Sequence, residues 1–192
     1  MGSGENIIKS WISANQFLTT PRNGPSSIHS SAWNGNIETL KLAIVTGDEI
    51  NLMDGGGWTP LHLAVWNMHH MTVLILLKEF AADANTPNNN GWTATHLAAW
   101  NDDLLSLKWL LNAGADLTKC DIDGRSPIHW AAENESLLVM DVLLNAGCDP
   151  HKPDKHGRSA LDLAEKTWGR AKFGILKFVT QRLKRARKRS RD

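Results

Sequence analysis

The sequence predicts an all-α array of stacked helix–turn–helix units joined by short β-turn fingers. One segment recurs at a nearly constant spacing, each copy carries two short apolar stretches, and a polar turn separates the copies. The recurring segment reads GWTPLHLA at 57–64, and its later copies lie at 91–98, 124–131 and 157–164. Because one unit of this size cannot bury its apolar face alone, we expect the units to stack.

The helices of each unit have recognisable boundaries in the sequence. Thr59 and Ser126 are each followed by proline, which is typical of a helix N-cap with proline in the first turn. The apolar residues at 61–64 continue this first helix, and those at 73–77 form a second one. Gly114 follows the second helix of the third unit, where a left-handed residue commonly ends a helix.

A polar residue recurs three positions before each repeat glycine. The pattern Asp-x-x-Gly is typical of a β-turn, and asparagine serves equally well at its first position. We therefore expect one β-turn finger at each of these places, which are Asp54, Asn88, Asp121 and Asp154.

The spacing of the copies together with the motif TPLHLA resembles the ankyrin repeat. The resemblance covers residues 24–177 and implies a solenoid of five units, the outer two degenerate. The units are expected at 24–56, 57–90, 91–123, 124–156 and 157–177. A capping segment at 1–23 and a basic tail at 178–192 complete the expected organisation.

One departure from the ankyrin pattern concerns the backbone between the two helices of a unit. The family usually has glycine there, but this chain has Met68, Asp102 and Glu135 after Gly35 in the first unit. Only glycine accepts a positive φ without steric cost, so each replacement is expected to cost about 1 kcal/mol where that geometry persists. Ala81 likewise replaces the glycine that ends the second helix of the second unit.

One histidine recurs in each of the first four units, which raises the question of a metal ladder. Packed helices lie about 10 Å apart, too far for one ion with bonds of about 2 Å to join two rings. The resemblance implies instead that these histidines make structural hydrogen bonds between neighbouring units; they are His29, His62, His96 and His129. The adjacent His69 and His70 are expected to be more exposed, without a second ligand type beside them.

The chain contains no motif that indicates an enzyme. P-loop, zinc-protease and nucleophile-elbow motifs are absent, and the two cysteines lie in different repeats, far from the close spacing of a zinc motif. We therefore expect no catalytic residue, no metal and no cofactor.

The composition is that of a folded chain without a membrane segment. Hydrophobic residues make up 42% and charged residues 21%, close to globular averages. No apolar run approaches the roughly 20 residues of a membrane span, and residues 1–23 do not resemble a secretory signal. We therefore expect Cys120 and Cys148 to be free thiols, a cytoplasmic or nuclear location, and no membrane partner.

The chain has nine tryptophans, and eight of them can be assigned from their position along the sequence. Trp130 takes the place of Leu97 one unit earlier, and Trp109 lies on a second helix, so both are predicted to pack internally. Trp11 is predicted to lie in a short capping helix.

Five other tryptophans lie at two recurring places. One place follows the turn glycine, and the other closes the first helix, where an asparagine comes next. In the ankyrin family these places line the concave groove and the finger side, where partners bind. The predicted partner-binding residues are Trp33, Trp58, Trp66, Asn67, Trp92, Trp100, Asn101, Arg125 and Glu133.

These tryptophans admit two interpretations: rings packed flat between units, or a contiguous exposed aromatic groove. Repetition in register favours the groove, because exposed neighbouring tryptophans are typical of interaction sites. Acidic residues border it at Asp102, Asp103, Glu133 and Glu135, and tryptophan faces beside carboxylates attract cations. A segment carrying lysine, arginine or methylated lysine would suit this surface. The predicted function is a monomeric, non-catalytic adaptor or inhibitor that binds a peptide or domain surface of another protein.

The charge is divided unevenly along the chain. Residues 170–192 carry ten basic residues and one acidic residue, whereas the preceding 169 carry 11 basic and 19 acidic. Such a tail fits an import signal, a nucleic-acid contact or a solvated end. The alternative function is therefore a nuclear factor associated with nucleic acid or chromatin, with candidate residues Lys184, Arg185, Arg187, Lys188 and Arg189.

The start of this region is predicted to be helical. Ile175, Val179 and Leu183 are spaced at one helical turn, so they share one face of a helix. We expect this face to dock on the preceding unit, with the helix ending near Leu183.

Overall fold

The computed structural model describes residues 28–170, 172–177, 180 and 181. The predicted capping segment, Trp11, and the basic residues from Lys184 to Arg189 lie outside these residues. The chain divides into two compact parts, Met1–Ala82 and Asp83–Asp192. These are called the first and second unit below, and one helix pair with its finger is called a repeat. All regular secondary structure in the described residues is helical, which confirms the predicted all-α class.

The first unit contains two helix pairs. Helices α1 (Ile28–Asn34) and α2 (Ile37–Val45) form one pair, and α3 (Pro60–Trp66) and α4 (His70–Lys78) form the other. Helix α1 packs against both α2 and α3. The fully buried side chains at the centre include Ile28, Leu40, Leu61 and Leu76.

The second unit repeats this arrangement. Its helices are α5 (Ala94–Trp100), α6 (Leu104–Asn112), α7 (Pro127–Glu133), α8 (Leu137–Asn145) and α9 (Ala160–Thr167). Helix α7 lies between α5 and α9, and α6 contacts α8. The core is built from Leu97, Leu107, Leu110, Ile128, Met140 and Leu143.

The first helix of each repeat from the second to the fifth begins with a capping box. Thr59 caps α3: its backbone N–H donates to Nδ1 of His62 at 3.1 Å. Thr93, Ser126 and Ser159 cap the later first helices in the same way. The predicted N-caps are confirmed, and each histidine ring in these boxes is fixed against its own helix.

The repeat histidines then link neighbouring repeats. Because Nδ1 of His129 accepts a backbone N–H, the ring proton lies on Nε2, which donates to the carbonyl of Lys152 at 2.9 Å. His96 bonds the carbonyl of Arg125 at 3.1 Å in the same way. Burial lowers the pKa of His129, which keeps the ring neutral for this role. The structural role implied for the histidines is confirmed for His29, His96 and His129.

The β-turn fingers are held by one carboxylate or amide oxygen each. Oδ1 of Asp154 accepts the backbone N–H of His156 at 2.8 Å and of Arg158 at 2.9 Å. The backbone N–H of Asp154 donates to the carbonyl of Arg158 at 2.9 Å. Asp54, Asn88 and Asp121 make the equivalent bonds, so the predicted turns are confirmed.

The left-handed backbone between paired helices persists without glycine. Met68, Asp102 and Glu135 have φ values of 54°, 54° and 57°, close to the 67° of Gly35. Ala81 has a φ of 51° where the second helix ends. The expected strain is therefore present at these positions.

Met68→Gly should stabilise the chain by about 1 kcal/mol, because glycine removes the left-handed penalty at an exposed position. The urea midpoint, measured by circular dichroism with an unchanged m-value, reports this. Met53→Gly is the matched control, since Met53 is 51% exposed against 52% for Met68 and has no positive φ. Equal effects of the two changes would contradict the strain argument.

The helical segment after α9 is rotated from its predicted orientation. Leu176 and Thr180 are buried, whereas Ile175 is 52% exposed. The predicted stripe through Ile175 was therefore wrong by one position, or about 100° around the helix. Leu176 and Thr180 are one helical turn apart and form the docked face instead. Val179 and Leu183 lie outside the described residues.

Candidate functional site

Three tryptophans of the second unit form a cluster. The ring centroids of Trp92 and Trp130 are 4.6 Å apart, those of Trp100 and Trp130 are 5.1 Å apart, and those of Trp92 and Trp100 are 6.0 Å apart. Trp130 is buried, as predicted. Trp92 is only 8% exposed, so the prediction that its ring is exposed was wrong. Its neighbours Trp100 and Trp130 enclose it, and Trp100 alone of the three stays half-buried.

Two charged residues, Asp121 and Arg125, also contact the Trp130 side chain. Its Nε1 donates to Oδ2 of Asp121 at 3.0 Å, and the Arg125 guanidinium lies 4.7 Å from the ring centroid. Burial raises the pKa of Asp121, although backbone N–H groups and this indole donate to its carboxylate. Arg125 also donates to Oε2 of Glu133 at 2.6 Å.

Arg125 and Glu133 are thus engaged with each other. Arg125 is buried, so the prediction that it faces a partner was wrong. The reason is that a guanidinium at this place can stack on Trp130 and pair with two carboxylates of its own unit. Glu133 remains half-buried, but its charge is largely offset by Arg125.

Asp154 is the second carboxylate that pairs with Arg125. Its Oδ2 lies 3.4 Å from Nε of Arg125 and 2.9 Å from Nη2 of Arg158. Burial alone would raise the pKa of Asp154, but hydrogen bonds from the backbone and side chain of Arg158 and the charge of Arg158 lower it to about 2. A charged, fully buried carboxylate therefore joins two neighbouring fingers.

The first unit has a smaller aromatic pair. Trp58 is 9% exposed and packs edge-on against Trp66, with ring centroids 6.1 Å apart. The prediction of an exposed Trp58 ring was therefore wrong: the ring is buried and also contacts His62 edge-on, with ring centroids 5.9 Å apart. Trp33 and Trp66 are half-buried.

The tryptophans that close the first helices are therefore the ones that keep accessible surface. We call them the helix-end tryptophans: Trp33 and Trp66 in the first unit and Trp100 in the second. The asparagines after Trp66 and Trp100 are half-buried, and Nδ2 of Asn67 donates to the carbonyl of Leu63 at 3.2 Å. Asn67 thus helps to end its helix.

Sequence patterns missed two structural side chains. Trp168 is buried and its Nε1 donates to the carbonyl of Ala132 at 2.6 Å. Trp168 lies one repeat after Glu135. Because no other repeat has an aromatic residue at this position, comparison of the repeats did not indicate a packed tryptophan here. His69, predicted to be exposed, is half-buried and bonds the carbonyl of Trp33 through Nε2 at 2.8 Å.

Comparison with known proteins agrees with this architecture. A family model described as ankyrin repeats (3 copies) matches residues 28–121 and 96–176. The chain belongs to the ankyrin-repeat family. It therefore carries a protein–protein interaction module.

Ankyrin-repeat relatives match shorter segments of the chain. The Notch-regulated ankyrin repeat-containing proteins of Homo sapiens and Xenopus tropicalis are 37% identical over 54 residues, which is 28% of this chain and 47% of each relative. Protein phosphatase 1 regulatory subunit 12A of Mus musculus is 34% identical over 58 residues, or 29% of this chain and 6% of that protein. The chain spans about half the length of the Notch-regulated relatives that it matches.

Two other kinds of feature are absent from the described part of this ankyrin chain, a group of three metal-ligating side chains and a membrane-spanning helix. Among these residues, histidine, cysteine and acidic side chains form no group of three that could hold a metal. None of the helices described has the length and apolar character needed to cross a bilayer.

Proposed function

We propose that this chain is a non-catalytic adaptor or inhibitor that binds a partner protein through the helix-end tryptophans. One relative is, by its name, a regulatory subunit, which is in keeping with a role in binding another protein. The observation that carries the proposal is the half-buried Trp100 ring, backed by the buried rings of Trp92 and Trp130.

A ring held in this way is a rigid anchor. Little side-chain entropy is lost when a partner covers it, and partly exposed tryptophans are enriched among residues that dominate binding energy. Trp66 is backed by Trp58 in the same manner, so each unit offers one such anchor.

The net negative charge of residues 1–169 favours a basic partner. Residues 1–169 carry 19 acidic and 11 basic residues, and Asp102 is exposed close in sequence to Trp100. Opposite charge on a partner raises its association rate and excludes acidic competitors. We therefore propose an extended basic segment as the partner, with methylated lysine as a variant of the same chemistry. Glu133 contributes less to this than its sequence position suggests, because Arg125 already pairs with it.

Trp100→Ala should weaken partner binding by about 30-fold, equivalent to about 2 kcal/mol. Linear peptides selected on the full chain from a phage-displayed library provide the ligands, and fluorescence anisotropy gives their Kd. Trp109→Ala is the matched control, because Trp109 is a half-buried tryptophan on the second helix α6. Selected peptides that bind Trp100→Ala, Trp66→Ala and the original chain equally would overturn the proposal.

A second function is proposed from the charge asymmetry of the sequence. The run of basic residues between 184 and 191 would contact nucleic-acid phosphates or an import receptor, and would place the chain in the nucleus. Affinity for a DNA duplex should then fall steeply with salt, and deletion of residues 184–192 should remove that slope. A salt slope that survives the deletion would rule out the tail as the contact, whereas peptide binding at Trp100 should depend on salt much less.

A further inference from the structure

Two reactive side chains of different chemistry meet on consecutive fingers of the second unit. The Lys152 ammonium donates to Sγ of Cys120, with Nζ and Sγ 3.3 Å apart. The two residues belong to adjacent repeats. None of the roles derived above uses either side chain.

The backbones that carry this pair are fixed by buried groups. The carbonyl of Lys152 accepts Nε2 of the buried His129 at 2.9 Å. Cys120 is packed so closely against the preceding finger that a Cβ on Gly91 would lie 3.1 Å from the Cys120 carbonyl oxygen. The approach of the two fingers is therefore imposed by the repeat architecture.

The thiol is also oriented. Its S–H donates to the carbonyl of Thr118 at 3.4 Å, which leaves a sulfur lone pair for the Lys152 ammonium. Nζ of Lys152 therefore lies directly beside Sγ of Cys120, and a small side-chain movement would bring the two atoms within bonding distance.

The pair is accessible to small molecules from solvent. Cys120 is half-buried and Lys152 is exposed. Cys148, the other cysteine, is buried. An oxidant in solution therefore reaches Cys120 more readily than Cys148.

We infer that Cys120 and Lys152 form an oxidant-dependent covalent cross-link, with hydrogen peroxide as the class of co-reactant. The Cys120 thiolate attacks one peroxide oxygen, the O–O bond breaks, and a sulfenic acid and water result after proton transfer. The unprotonated Lys152 amine then attacks this sulfur, and the hydroxyl leaves as a second water with a proton from nitrogen.

In total, the reaction consumes one thiol, one amine and one peroxide, and it produces one sulfenamide and two waters. Sulfur loses two electrons to the peroxide, and an N–S bond replaces the S–H bond and one N–H bond. The product ties two neighbouring fingers together through a closed loop of about 30 residues, which restrains the unfolded chain. Oxidation should therefore raise the Tm, and a thiol reductant should reverse the rise.

The test uses the full chain with Cys148→Ala, the substitution that matches Ala115 in the preceding repeat. Only one cysteine remains, so an intramolecular disulfide is impossible. After peroxide treatment, intact mass spectrometry of the monomer should show a loss of about 2 Da, and dithiothreitol should restore the original mass. Peptide mapping should find the Cys120 and Lys152 peptides joined.

Two lysine variants decide whether the assignment is correct. Lys152→Arg keeps the positive charge but should abolish the mass loss, and Lys155→Arg, a change at another exposed lysine of the same finger, should leave it intact. A gain of about 16 or 32 Da on Cys120 without a linked peptide would overturn the inference. The same holds for an unchanged mass, or for a loss that persists in Lys152→Arg.

Discussion

Trp130→Ala is expected to lower the free energy of unfolding by about 3–5 kcal/mol. The change deletes a buried ring that contacts Trp92 and Trp100, and it removes the hydrogen-bond donor to Asp121 and the surface on which Arg125 stacks. A cavity and an unsatisfied buried carboxylate oxygen would remain. Urea unfolding followed by circular dichroism measures the loss.

Two other variants divide this effect into its parts. Trp130→Leu introduces the residue found one repeat earlier, Leu97, so the free energy of unfolding should fall less than it does in Trp130→Ala. The leucine still leaves Asp121 without its indole partner. Trp109→Ala removes a tryptophan that is only half-buried and should cost less than Trp130→Ala. A loss below about 1 kcal/mol for Trp130→Ala would show that the cluster is not a core element.

Asp154→Asn is expected to cost about 2 kcal/mol at pH 7, and almost nothing near pH 2. Asparagine keeps the turn, as Asn88 does in an earlier finger, but it removes the charge that faces Arg125 and Arg158. A pKa of about 2 in place of 3.8 corresponds to a stabilisation of about 2 kcal/mol by the ionised form.

The direction of the pH effect follows from this depressed pKa. The unfolded chain binds the Asp154 proton more readily than the folded chain, so the stabilisation is fully present above pH 3.8 and is lost as the pH falls towards 2. The difference between the urea midpoints of the original chain and the variant should therefore be similar at pH 7 and pH 4 and much smaller at about pH 2. Asp54→Asn is the control in the first unit, where Trp58 stands in the place of Arg158. A difference between the original chain and Asp154→Asn that does not change with pH would contradict the electrostatic origin.

Much of this fold was predictable because the interactions of a repeat are local or between nearest neighbours. Thr59 and Ser126 indicated helix starts, Asp121 and Asp154 indicated turns, and each was confirmed by hydrogen bonds to groups close in sequence. The left-handed backbone at Met68 also followed from register, because the position after the first helix imposes that φ whichever residue occupies it.

The candidate site was predictable only in part. Periodicity located both tryptophan positions, but it did not distinguish Trp92, which is enclosed, from Trp100, which keeps exposed surface. That difference depends on the direction of each ring and on the neighbour that covers it. Trp130, a residue of the next repeat, lies against both rings.

The sequence by itself therefore determined the all-α class, the ankyrin register, the capping residues and the fingers. These features depend on short-range geometry that recurs from one repeat to the next. Only the tertiary structure decided that Arg125 is internal, since its partners Glu133 and Asp154 lie at the end of a helix and on the next finger. It likewise decided that Trp168 is buried and that Lys152 meets Cys120. The contacts of Trp168 and Lys152 join adjacent repeats, so they depend on how far one repeat is displaced and rotated relative to the next.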